Sequence, residues 1–204
     1  KNISKSKVVG VYENGVYQVA VNWGLDEVIK LTSMKLKNVP TRMQKDYTWP
    51  GVYKPFKHQE ETSEFLSKNK RAYCLSEAGT GKTSGVIWAA DYLMNQNKVN
   101  RMLVVCPLSI MQAAWQADFF KTAMHRTVTT RRWKAINRIV TDDTWVWLMT
   151  GTPAAQSPAD AYGLAKLVNP QSVPKYAGTF KDMVMQKVSQ FTWLPRWNAQ
   201  DIVF

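Results

Sequence analysis

Eight residues constrain this chain more than any others. Ser76-Glu77-Ala78-Gly79-Thr80-Gly81-Lys82-Thr83 follows a short apolar run, Ala72-Tyr73-Cys74-Leu75, and precedes a stretch, residues 84–95, that reads as helix. An apolar run this short, ended by turn-forming residues, suits a buried strand. Gly79 and Gly81 let the backbone turn sharply and come close to a ligand. A loop between strand and helix aims several backbone N–H groups at one point, and the positive end of the helix adds to their pull on an anion. In that frame Lys82 reaches the β- and γ-phosphates of a nucleotide and the Thr83 hydroxyl holds Mg²⁺. Ala78, Gly79, Thr80, Gly81, Lys82, Thr83 and Ser84 are therefore expected to bind a nucleotide with Mg²⁺, with Lys82 and Thr83 serving catalysis. The strict form of the pattern has glycine where this chain has Ser76.

The surroundings of the loop repeat its strand-and-helix logic. Residues 57–69 read as a helix, the apolar run 102–106 as a second buried strand stopped by Pro107, and residues 109–122 as a helix by period. A third strand over 145–149 runs into Thr150-Gly151-Thr152-Pro153, and a helix over 159–168 ends before Asn169-Pro170. Strands alternating with helices predict an α/β fold with a parallel sheet flanked by helices. Ahead of this body, residues 7–23 alternate loosely around Asn14-Gly15. That pair tolerates the positive φ of a type I′ turn, so a hairpin is expected. A third strand over 28–32 follows the Gly24-Leu25-Asp26-Glu27 turn. The expected organisation is a small antiparallel β-meander module over 1–46 and the α/β body over 47–204, with Trp49-Pro50-Gly51 and Lys54-Pro55 marking the join. The module either binds nucleic acid or packs as an appendage.

Composition narrows the partners. Lysine and arginine number 27 against 15 acidic residues, a net charge of +12. Such an excess suits a polyanion, whose neutralised phosphates release counterions, or serves solubility alone. Nine tryptophans mostly supply core, and some are available to stack on bases. With 45% hydrophobic and 21% charged residues the chain is not of disordered type. No run of apolar residues is long enough to span a bilayer, and Lys1-Asn2-Ile3-Ser4-Lys5 lacks a signal peptide's apolar core. Cys74 and Cys106 sit in apolar stretches without metal-ligand spacing and read as reduced core residues of an intracellular protein. From Lys121 to Arg138 six basic residues, among them Lys121, Arg131 and Arg132, occur without an acid. They form either a solvated helix face or one turned to DNA. His58 and His125 pair with no nucleophile and are given no catalytic role.

Four stretches together resemble helicase superfamily II, and within it the Swi/Snf-like DNA-dependent ATPases and translocases. Pro55-Phe56-Lys57-His58-Gln59 is similar to the glutamine motif, and the likeness implies that Gln59 reads the adenine edge. Ala78 to Thr83 matches the nucleotide loop. Leu103-Val104-Val105-Cys106-Pro107-Leu108-Ser109, with Trp115-Gln116-Ala117-Asp118, resembles motif Ia, which implies that Ser109 touches a nucleic-acid backbone; Ser109 after Pro107 also reads as a helix cap. Leu148-Met149-Thr150-Gly151-Thr152-Pro153 with Gln156 resembles motif III, so that Thr150, Gly151, Thr152 and Pro153 couple the ATP and DNA sites. The likeness runs from about Lys54 to Pro170, and the tail Phe191-Thr192-Trp193-Leu194-Pro195-Arg196 is compatible with the segment leaving the lobe. It implies a first RecA-like lobe, duplex DNA contacted through its backbone, a second RecA-like lobe of the same polypeptide, and no membrane. The setting is cytoplasmic or nucleoid-associated if the source is bacterial or phage.

The family also departs from this chain. Its hydrolysis uses a strand ending in Asp-Glu, and none follows an apolar strand between the motif Ia and motif III stretches. Asp142-Asp143 is the nearest substitute, but Trp133, Ile136, Ile139 and Val140 recur with a helical period, so the two aspartates are expected in a turn. Only 22 residues, Ala123 to Thr144, lie where the family places several elements, which predicts residues missing at the Val128-Thr129 junction or a deletion that leaves a dead ATPase. The end at Phe204 leaves no room for a second lobe, so the chain is expected to be the first lobe of a larger motor and poorly active alone. The alternatives are a strand-separating helicase or restriction-type motor subunit, a non-catalytic nucleic-acid-binding protein with a vestigial loop, and a small-molecule kinase.

Overall fold

Hydrogen bonding distributes the strands of this mixed α/β chain over small sheets: two antiparallel hairpins and one parallel pair. The structure, a computed structural model, describes residues 6–122, 140–151, 154, 157–189 and 192–203. By internal contacts the chain divides into two units, Lys1–Asn69 with Thr83–Thr129, and Lys70–Lys82 with Thr130–Phe204.

The first unit opens with the expected hairpin, β1 (Ser6–Val11) antiparallel to β2 (Tyr17–Val21). Its loop differs from the two-residue turn expected. Gly15 N–H donates to the Tyr12 carbonyl at 2.9 Å, Tyr12 N–H donates to Val16 O at 2.8 Å, and Gly15 alone in the loop has positive φ, +77°. The connection is thus a three-residue loop ending in a left-handed glycine. A bulge between Val8 and Gly10 shifts the register, so Val8 pairs with Val19 and Val11 with Tyr17. The third strand expected over 28–32 is instead helix α1 (Leu25–Ser33). Leu25 and Val28 share its buried face, and Asp26 and Glu27, read as a turn, occupy the first helical turn, where the macrodipole favours acids.

Glu64 ties this N-terminal region to helix α3 (Lys57–Lys68). Its buried carboxylate accepts from Thr41 N–H at 2.8 Å, from the Gln44 side-chain amide and from Lys68 Nζ at 3.4 Å, while Lys68 also donates to Val39 O at 3.1 Å. Thr41 and Met43, before and within α2 (Met43–Asp46), are fully buried beside it. Glu64→Ala strands the buried Thr41 N–H and leaves the Lys68 ammonium with the Val39 carbonyl but no counter-charge, so we expect a loss of about 2–3 kcal/mol, read as a lower urea midpoint at unchanged m-value.

Residues 47–50 then lie along α4 (Lys82–Asn95). Tyr47 donates to Asp91 Oδ2 at 2.8 Å, Trp88 Nε1 donates to Pro50 O at 2.9 Å, and Tyr47, Trp49, Trp88 and Tyr92 meet edge to face. These tryptophans serve as core. α4 buries residues around most of its circumference, from Gly85 to Leu93, as a central helix does. Ile87 packs with Val104 and Phe119, joined by Met102, Cys106 and Trp115.

Residues 102–106 belong to no strand among the described residues, which corrects the second predicted strand of the parallel sheet. Their burial still alternates, Val104 inward and Leu103 and Val105 outward. A strand also needs a neighbour's N–H and C=O groups, and within this unit the described strands are already paired as a hairpin. The helix expected over 109–122 is present in three pieces: α5 (Leu108–Ile110), a π-helical stretch (Met111–Gln116) and α6 (Ala117–Thr122).

The second unit is built on β3 (Arg71–Cys74) parallel to β4 (Val146–Met149), in register Arg71↔Val146 to Cys74↔Met149. α7 (Ala161–Val168) follows a 3₁₀ turn (Pro158–Asp160), and its Leu167 and Val168 pack with Val146, Tyr73, Val140 and Leu148. A second core gathers Phe180 and Val184 of α8 (Ala177–Val184), Met185 of β5 (Met185–Lys187) and Ala199 of α9 (Ala199–Val203). β6 (Trp193–Pro195) pairs antiparallel with β5. No helix among the described residues is long and apolar enough to cross a membrane.

Burial pushes the Tyr73 phenol up to about 12. Between pH 10 and 12 the unfolded chain then holds fewer protons than the folded one, so stability is full below pH 10 and falls as pH rises. Burial also raises the Tyr92 phenol, so in a phenolate absorbance titration we expect two of the eight tyrosines to ionise late, and Tyr73→Phe to remove the step near pH 12.

Candidate nucleotide site

The loop from Leu75 to Gly81 leaves the C-terminal end of β3 and enters α4 directly. Parallel strands bring their C-terminal ends to one side, where ligands of such sheets bind. Gly79 and Gly81 both adopt the left-handed region, φ +79° and +72°. Left-handed residues alternating with ordinary ones are the backbone pattern from which anion-binding concavities are made. A Cβ built on Gly79 meets nothing within 4 Å, so this glycine is required by conformation rather than by crowding.

Lys82 folds back over the loop. Its ammonium donates to the Ser76 carbonyl at 2.7 Å and to that of Glu77, and the Thr80 hydroxyl donates to Glu77 O at 2.9 Å. Carbonyl oxygens hold the cation by partial charge alone, so a phosphate's full charge competes well for it. Ser76, the departure from glycine, places its hydroxyl 3.5 Å from buried Cys74 Sγ. The parts played by the Ser76 and Glu77 carbonyls carry no sequence signal, since every residue type has one.

The end of β4 comes alongside. Thr150 N–H donates to Cys74 O at 3.1 Å, and a Cβ built on Gly151 would lie 3.6 Å from Ser76 O and 3.9 Å from Ala78 N. The parallel pair thus brings the Thr150-Gly151 half of that string against the backbone of the loop after β3. Thr152, Pro153 and Gln156 lie outside the described residues, as do Arg131, Arg132, Trp133 and the Val128-Thr129 junction.

Asp142 and Asp143 occupy an exposed turn, closed by Thr144 N–H donating to Thr141 O at 3.0 Å, as the helical period before them implied. Asp143 pairs with Lys70 at 3.3 Å. This turn lies at the start of β4, the full strand away from the loop end, which is roughly 13 Å at about 3.3 Å per residue.

The remaining sequence-derived residues belong to the first unit. Gln59 Oε1 accepts from Phe56 N–H at 3.0 Å, so its carbonyl caps its own helix. Thr83 and Ser84 stand in the first turn of α4, and Ser84 Oγ accepts from Thr122 Oγ1 at 3.3 Å. The same turn crosses α3 closely, with Ser63 Oγ donating to Gly85 O at 2.8 Å. Ser109 is exposed within α5 rather than capping it. Lys121 is exposed in the last turn of α6 and lowers the pKa of Asp118, which burial pushes up by more.

Among the described residues no three His, Cys, Asp or Glu side chains group as a metal site. No protein-family model matches the sequence, and no curated protein matches it significantly.

Proposed function

We propose that this chain is the ATP-binding lobe of a DNA-dependent ATPase, the first RecA-like lobe of a Swi/Snf-like motor that translocates on or remodels DNA. The observation that carries the reading is the loop at the end of β3, where two left-handed glycines, Lys82 and the start of α4 converge, with Gly151 against it. In this reading the loop N–H groups and Lys82 bind the phosphates of ATP, Thr83 holds its Mg²⁺, and Gln59 meets the base. In the same reading Thr150 and Gly151 couple ATP to DNA, and Ser109, Lys121, Arg131 and Arg132 are the residues by which DNA is bound. The net charge of +12 supports a phosphate-backbone partner whose recognition is largely independent of sequence. Hydrolysis and movement belong to the lobe together with a second one.

The place of Asp142 and Asp143 favours a second reading, nucleotide binding without turnover in a nucleic-acid-binding protein. One experiment addresses both. The chain is titrated into a fluorescent ATP analogue with and without Mg²⁺, and phosphate release is followed with added duplex DNA. Saturable, Mg²⁺-dependent binding is expected. Absence of binding overturns the nucleotide site, and binding with no release in a polypeptide that carries both lobes selects the second reading.

A further inference from the structure

Trp197 is 94% exposed, the most exposed large hydrophobic side chain among the described residues. Its backbone is firmly held all the same. The turn carrying it joins β6 to α9, with Arg196 N–H donating to Val184 O and Ala199 N–H donating to Arg196 O, both at 3.0 Å. Arg196 Nε donates to Asp182 O at 3.0 Å and Met185 O at 3.1 Å, fastening the turn to the end of α8. Beneath it lies the core of Phe180, Val184, Met185 and Ala199. An indole displayed on a braced turn is preorganised as a platform, because its backbone loses little freedom on binding.

The cations nearby define what the platform suits. Lys187 lies directly across the hairpin from Trp193, and Lys181 Nζ sits 4.1 Å above the Trp193 ring. Lys187 is roughly 10 Å along the hairpin from the Arg196–Trp197 turn, at about 3.3 Å per strand residue. Two acids, Asp182 and Asp201, also lie on these helices, and the sequence of the hairpin from Met185 to Pro195 holds one charged residue, Lys187. Aromatic faces beside basic side chains are the means by which proteins hold unpaired nucleotides, bases on the rings and phosphates on the cations.

We propose that the β5–β6 hairpin and the turn after it bind single-stranded DNA, with Trp197 stacking on a base and Lys187 and Lys181 facing its phosphates. The proposal deepens the nucleic-acid half of the function above, and it needs no nucleotide. It is tested without ATP, by anisotropy of a labelled oligothymidylate titrated with the full chain over a range of salt. Trp197→Ala is expected to weaken binding roughly tenfold, Trp197→Phe to retain most of it, and a blunt duplex to bind both equally. Lys187→Ala should weaken binding and flatten the salt dependence by about 0.7 in logarithmic slope. An unchanged affinity in Trp197→Ala overturns the proposal, as does an equal loss on duplex, or a change confined to self-association in sedimentation. Thermal unfolding of each variant confirms that the exposed substitution leaves the fold intact. Because ATP is absent, failure here is separate from failure of the nucleotide site.

Discussion

Lys82→Ala is expected to weaken binding of the ATP analogue by 10- to 100-fold, roughly, while DNA affinity stays within about twofold. The ammonium is the one full positive charge that the loop itself carries, and it lies over the loop, on the Ser76 and Glu77 carbonyls. Hydrogen bonds to charged groups contribute about 1.5–3 kcal/mol, and about 1.4 kcal/mol is a factor of ten in affinity. The variant also loses two loop tethers. Lys82→Arg separates the effects: it keeps the charge but brings a planar fork where a compact ammonium sat, so it should recover part of the phosphate affinity. Stability should change by about 1 kcal/mol or less in both, since one tether is exposed and the other only partly buried. Fluorescence titration measures the first quantity and urea unfolding the second. Unchanged nucleotide affinity in Lys82→Ala would remove the ATP reading altogether.

What could be read from the sequence was mostly local. Gly79, Gly81 and Lys82 announce their loop because conformation and charge are written in the residue types themselves, and the structure gives both glycines positive φ. The helical period of 133–140 likewise sufficed to put Asp142-Asp143 in a turn. Residues 28–32 misled, because Val28, Ile29 and Thr32 are β-branched and favour strands by propensity. Their environment is decided elsewhere, by Leu25 and Val28 sharing a buried helical face. Residues 102–106 misled for the opposite reason: the alternation is real, but a ladder depends on a partner far away in sequence. Gln59 shows a third limit. The resemblance makes Gln59 a base reader, and the bond from Phe56 N–H, which no motif announces, adds a cap of its own helix. Trp197 carried no signal, since a tryptophan in an apolar-rich tail reads as core.

Gly51→Ala should cost about 3 kcal/mol or more. In sequence, Gly51 after Trp49-Pro50 reads as a turn marker and nothing more. In the structure its φ is +109°, and a Cβ there would run into the Lys121 carbonyl oxygen and lie 2.8 Å from that of Thr122. Backbone strain of this kind costs about 1–3 kcal/mol for a non-glycine residue. The obstacles are main-chain oxygens, which no rotamer change can clear, so α6 must shift. Shifting it breaks the bond from Val52 N–H to Lys121 O at 2.8 Å, about 1 kcal/mol, and loosens Phe119 from Ile87 and Val104. Gly15→Ala is the control. Gly15 shares a positive φ, +77°, but a Cβ there meets nothing within 4 Å, so only the strain remains and about 1 kcal/mol is expected. Urea unfolding of the two variants measures the difference. Equal losses would mean that the close approach of Gly51 to the end of α6 does not bear on stability. A selective loss at Gly51 carries a consequence for the site, because Thr122 also donates to Ser84 in the first turn of α4. Nucleotide affinity should then fall modestly in Gly51→Ala, by less than in Lys82→Ala, since the turn that bears Thr83 loses a neighbour but keeps its charge.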